Sequence, residues 1–129
     1  MGKALAELVR RRGGGRCEYC HSTLPPFHVE HIIARKHGGP TVSDNLAFSC
    51  ASCNFFKGPN ISGIDPGTGA VVLLFHPRKD NWRDHFRWHG PKLVGMNPTA
   101  RATIAVLKIN DEARIDGRLG EKFDERTWS

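Results

Sequence analysis

The chain has 129 residues, is 39% hydrophobic and carries a formal charge of +6, which suits one domain with a modest core better than several. No apolar run approaches the roughly 20 residues of a membrane span, and acid and base interrupt the apolar start of the chain where a secretion signal would need a clean apolar stretch. The expectation is a protein without a membrane role, kept in a reducing, cytoplasmic compartment.

The charge is uneven: residues 1–110 hold 15 Lys/Arg against 7 Asp/Glu, while residues 111–129 hold 4 against 6. The positive field therefore belongs to the first part of the chain, as expected for a polyanion partner, although charge alone also fits a merely solvated basic surface.

In chain order, Lys3 to Arg12 reads as a helix with Leu5, Leu8 and Val9 at helical spacing, stopped by Gly13-Gly14-Gly15. Phe27 to Ala34 follows Pro25-Pro26 and reads as a strand, and Arg35 to Pro40 as a loop marked by Gly38-Gly39-Pro40. Asn45 to Phe48 is a short second strand or turn, and Ala51 to Lys57 a helix closed by Gly58-Pro59. Beyond residue 60, Asp65 to Gly69 is a turn, Ala70 to His76 and Lys92 to Met96 are strands, and Asn81 to Trp88 is an aromatic-rich stretch whose rings suit core packing. Asn97-Pro98 looks like a cap and first position of a helix running to about Ile109. Residues 111–129 are charged, Gly117 and Gly120 interrupt any helix there, and a frayed end is expected.

Two Cys-x-x-Cys knuckles, Cys17/Cys20 and Cys50/Cys53, use every cysteine of the chain. Four thiolates in two short-bite pairs are what a tetrahedral structural Zn²⁺ needs. A redox Cys-x-x-Cys usually occurs once ahead of a helix in a βαβ setting, and two disulfides would suit an oxidising compartment, so both are weaker readings.

Between and just beyond the knuckles stand Glu30-His31, Asn45, Asn54 and Lys57. Here the sequence resembles the HNH endonuclease family: Cys-Glu-Tyr-Cys, Val-Glu-His-Ile-Ile, His-Gly-Gly, Asp-Asn-Leu and Cys-Ala-Ser-Cys-Asn-Phe-Phe-Lys-Gly all fit its pattern, with Asn54 at the last position making an HNN variant. The resemblance covers Cys17 to Gly58. It implies an α+β fold: a small zinc-stapled ββα-metal core over residues 17–58 with a short α/β C-terminal extension over 59–129, together one domain. Leu74 to Arg78 and Trp82 to Trp88 also look like the extension of small stand-alone bacterial members.

The resemblance implies a metal-dependent endonuclease acting on DNA, with RNA as an alternative substrate. Phosphodiester hydrolysis needs a deprotonated water, neutralised phosphate charge and help for the leaving oxygen. His31 is then the general base, Glu30 and Asn54 are oxygen ligands of one Mg²⁺ or Mn²⁺, Asn45 is an orienter, and the four cysteines hold structural Zn²⁺. Arg35, Lys36 and Lys57 are candidate phosphate contacts. Neighbouring strand residues point to opposite faces, so Glu30 and His31 share a site only where the strand twists or ends. Rival readings remain open: a non-catalytic zinc-stapled nucleic-acid-binding module, or a zinc-dependent protein-interaction module. A lone ββα site makes one cut, so cutting both strands would require a homodimer or two encounters, and a separate recognition partner is a further open possibility.

Overall fold

The computed structural model describes all 129 residues. Helix α1, Lys3–Arg12, turns Leu5 and Val9 toward a two-stranded ribbon and leaves Leu8 about half exposed, 47%. Strands β1, Phe27–His31, and β2, Leu46–Cys50, form that ribbon, antiparallel, with Phe27 opposite Cys50 and His31 opposite Leu46. Cross-strand partners share a face. Val29, Phe48 and Leu46 therefore meet Val9 and Leu5 on one side, while Glu30 and Ala47 face the other. Burying Val9, Leu46 and Phe48 contributes about 1.5–3 kcal/mol each.

β1 is shorter than the sequence pattern predicts, ending at His31 instead of Ala34. The reason lies in Asn45: its backbone carbonyl accepts from Ile32 N, its Oδ1 accepts from Ile33 N and its Nδ2 donates to Ile33 O. One side chain thus replaces the strand partner that Ile33 would need. The intervening loop carries two short 3₁₀ turns, Arg35–His37 and Ser43–Asn45.

Helix α2, Ala51–Lys57, starts directly from β2, with Cys50 Sγ accepting from Cys53 N at its first turn. It packs on both strands and completes a ββα unit. The later part of the chain adds ribbon β3/β4, Ser62–Ile64 with Val71–Leu73, and ribbon β5/β6, Phe86–His89 with Lys92–Gly95. Between them lies the short helix α3, Trp82–His85, opened by Asn81 Oδ1 accepting from Arg83 N. The predicted strand from Ala70 to His76 survives only at Val71–Leu73, because Leu74 and Phe75 turn into the core, where Phe75 N donates to Thr103 Oγ1. Helix α4, Pro98–Val106, begins as the sequence predicts, with Asn97 Oδ1 accepting from Ala100 N.

The C-terminus departs from the frayed end expected. Helix α5, Glu112–Gly120, runs through Gly117, and α6, Glu125–Trp128, packs back on the molecule. A helical glycine costs about 1 kcal/mol. Burial of Trp128 against Trp88 and Phe123, with ring centroids 5.9 and 5.3 Å away, offsets it. The main core joins the four cysteines to Phe75, Phe86, Trp88, Leu93 and the inner face of α4, and the whole is a mixed α+β fold of helices with small ribbons.

Candidate active site and metal centre

The four cysteine sulfurs lie within 4.8 Å of one another and all four residues are buried. A tetrahedral zinc with Zn–S bonds of about 2.3 Å sets its sulfurs about 3.8 Å apart, and Cys20 and Cys50 Sγ are 3.7 Å apart. The donor set therefore fits a zinc ion. Backbone amides support it: Tyr19 N and Cys20 N approach Cys17 Sγ, and Cys53 N approaches Cys50 Sγ, at 3.4–3.5 Å. As bare thiols the group is frustrated, since burial pushes Cys17 and Cys53 up while bonds from neighbouring thiols pull Cys50 and Cys20 down.

The C-terminal segment completes this centre. Arg114 on α5 donates to Cys53 Sγ at 3.2 Å and lies 3.7 Å from Cys50 Sγ, with a further bond to Leu107 O. Burial disfavours its charge, but the adjacent sulfurs outweigh that and hold the guanidinium well protonated. His21, beside the first knuckle, bonds through Nδ1 to Trp128 O and stacks on Trp82. Burial lowers its pKa to about 4, so it is neutral. Arg16 grips Thr127 O and Ser129 O at 2.9 and 3.1 Å.

At the opposite end of the β1/β2 ribbon is an open cleft of about 380 Å³, lined by Val29, Glu30, His31, Ala34, Arg35, Asn54, Gly58 and Pro59. Glu30 and His31 do face opposite sides of the ribbon. The cleft reaches both because β1 ends there and its outer edge is free. Asn54 comes to the same cleft from α2. Arg35 and Lys36, on the 3₁₀ turn after β1, are exposed beside it.

Asn45 does not line the cleft. It is 5% exposed and, beyond its bonds to Ile33, donates to Pro40 O at 2.9 Å, tying the loop ahead of β2 to the end of β1. The loop passes so close that a Cβ on Gly39 would stand 1.8 Å from Ile33 O, which requires glycine there. The tied loop delivers Thr41, whose Oγ1 is 2.8 Å from His31 Nε2.

Lys57 departs from the expectation of a phosphate contact. It is 1% exposed, its Nζ donates to Ile32 O at 2.8 Å and stands 3.4 Å from Glu30 Oε2, so its charge is spent inside the protein. Tyr19 OH donates to Glu30 Oε1 from the other side. Burial pushes the Glu30 carboxyl up, and Lys57 and Tyr19 pull it part of the way back.

Thr41, Tyr19 and Arg114 are the site neighbours that sequence reasoning missed. Tyr19, the sole tyrosine, sits inside a knuckle, where a buried hydroxyl needs a partner, so it carried a readable signal. Thr41 and Arg114 reach their partners across a loop and across 61 residues, and no local pattern marks them.

Residues 17–59 match the family described as HNH endonuclease, a stretch covering both knuckles, the ribbon and α2. No curated protein and no solved structure matches the chain. The matched stretch is a third of the chain and is similar to an HNH endonuclease domain; the four clustered cysteines inside it fit a zinc-binding variant, and the match suggests a nuclease or nucleic-acid-related function.

Proposed function

We propose that the protein is a divalent-metal-dependent endonuclease that hydrolyses DNA phosphodiester bonds, with zinc held structurally by Cys17, Cys20, Cys50 and Cys53. The observation that carries this reading is the meeting of Glu30, His31 and Asn54 in one open cleft. A module that only binds nucleic acid needs a basic surface and no such trio.

His31 takes the proton of the attacking water through Nδ1, the ring nitrogen that Thr41 leaves free. In the tautomer with Nε2–H, Thr41 Oγ1 accepts from it and Nδ1 is left as the base, and Asn45 holds the loop that carries Thr41. Glu30 and Asn54 would hold Mg²⁺ or Mn²⁺: one anionic and one neutral oxygen suit a hard cation that keeps several waters. A carboxylate has about four lone-pair sites, and Tyr19 and Lys57 each engage one oxygen of Glu30, which leaves acceptor capacity toward the cleft. When bound, the cation supplies charge neutralisation at the phosphate and at the leaving oxygen. Arg35 and Lys36 hold flanking phosphates.

The test is purified protein with supercoiled plasmid, single-stranded DNA or RNA, with added Mg²⁺ or Mn²⁺, compared with His31→Ala. Loss of the base should slow cleavage by roughly 10² to 10⁴-fold, with zinc content and DNA affinity little changed. Equal rates for the two proteins would remove His31 from the chemistry. A wild-type protein inert toward every substrate and metal would favour the binding module.

A further inference from the structure

Outside the matched stretch, α1 and the segment after β4 build a second feature beside the cleft end of the ribbon. It is a groove of about 560 Å³ lined by Arg12, Asp44, Pro77, Arg78 and Lys79, polar and charged apart from Pro77. Arg12 is set in place by one terminal nitrogen that donates to both Ser43 O and Leu46 O at 2.8 Å. Leu46 is the residue paired with His31 across the ladder, so the groove wall and the cleft are carried by the same strand pair.

Arg78 is largely buried, 12% exposed at its side chain, and held by Glu18, which in turn accepts from Phe48 N at 2.7 Å. Its Nη1 is buried and has no acceptor. Lys79 is exposed at the rim. Arg12, fixed by the loop, Arg78, paired with Glu18, and Lys79, exposed at the rim, give this polar groove three cationic side chains against the one carboxylate of Asp44. Arginine forks and a mobile ammonium are suited to phosphate oxygens.

We infer that this groove binds a backbone phosphate of the nucleic acid away from the one being cut, so that the strand is held at two places. The inference rests on the nucleic-acid reading above. The cleft works on the scissile phosphate, and the groove fixes how the strand lies across it. Asp44 at the rim opposes this, because its exposed carboxylate repels phosphate. That opposition makes the inference testable in both directions.

Binding of duplex DNA, single-stranded DNA and RNA oligomers is measured against salt with no divalent cation added, so that no strand is cut. Lys79→Ala should lower the slope of log affinity against log salt by about 0.9 on duplex and about 0.7 on a single strand. Asp44→Asn should tighten binding, an effect that damage to the fold would not produce. Neither substitution touches a buried group, so thermal midpoints should stay with wild type. Unchanged slope in Lys79→Ala, weaker or unchanged binding in Asp44→Asn, or no binding by wild type would each overturn the groove. The two readings fail separately: cleavage with unaltered slopes sinks the groove alone, whereas altered slopes in a protein that never cuts sink the nuclease reading alone.

Discussion

The two ends of the β1/β2 ribbon are built on opposite plans. At one end Cys50 pairs with Phe27 and enters a cluster of four buried sulfurs; at the other His31 pairs with Leu46 and opens onto a cleft. Four residues of strand, about 13 Å, separate them. The closed end is fixed by chain-local knuckles, amide bonds to sulfur and one arginine from α5. The open end depends on hydrogen bonds that reach across a loop, from Asn45 to Ile33 and Pro40 and from Thr41 to His31. The two ends share elements: β2 runs from Leu46 at the cleft to Cys50 in the cluster, and α2 carries Cys53 of the cluster next to Asn54 of the cleft.

Removing one ligand of the closed end should have the largest effect. A structural zinc contributes roughly 10–16 kcal/mol of apparent binding free energy, comparable with the about 5–15 kcal/mol that separates a folded domain from its unfolded state. Cys50→Ser should therefore leave a protein that is zinc-free and largely unfolded at room temperature. Elemental analysis and a thermal melt measure both. A folded, cooperative melt without zinc would show that the aromatic core alone closes this end.

Arg114→Met asks a finer question, since it keeps an unbranched apolar stem while removing the guanidinium that faces Cys53 and Cys50. Partners in the outer sphere of a metal site are worth about 10 to 100-fold in affinity. Competition with a chelating dye should show zinc held more weakly by that factor, with the fold kept when zinc is in excess. Unaltered competition would mean that the sulfurs need no cation from the C-terminal segment.

The same contrast governs what the sequence could reveal. The closed end is encoded in spacing, and Cys-x-x-Cys twice states it outright. At the open end the residue types were legible, but their directions were not. The ending of β1 at His31 follows from Asn45 acting as a substitute strand partner for Ile33, which no propensity expresses. Lys57 was legible and misread: it lies four residues after Cys53 on α2, and positions four apart share a helix face. A helix that buries Cys53 therefore buries Lys57, as the structure shows. The tail was misread for the opposite reason. Its charges and glycines describe a frayed segment, while Trp128 and Arg114 supply anchors whose partners lie far back in the chain.

The smallest expected effect tests whether the open end is tuned or only assembled. Thr41 is exposed, and its one side-chain bond is to His31 Nε2. Thr41→Val keeps the shape and removes the hydroxyl, so it should cost about 0.5–1.5 kcal/mol in the orientation of the proposed base. That is a fall in kcat of roughly 2 to 13-fold by transition-state arithmetic. KM and the thermal midpoint should stay with wild type, because neither substrate binding nor the core uses this hydroxyl. Thr41→Ser, which restores the oxygen without the methyl group, should recover the rate. A role in loop packing alone would reverse the pattern, with Val tolerated and Ser slowed. Equal kcat for wild type and Thr41→Val would assign the orientation of His31 to the ladder and to Asn45, leaving the hydroxyl without a part in the chemistry.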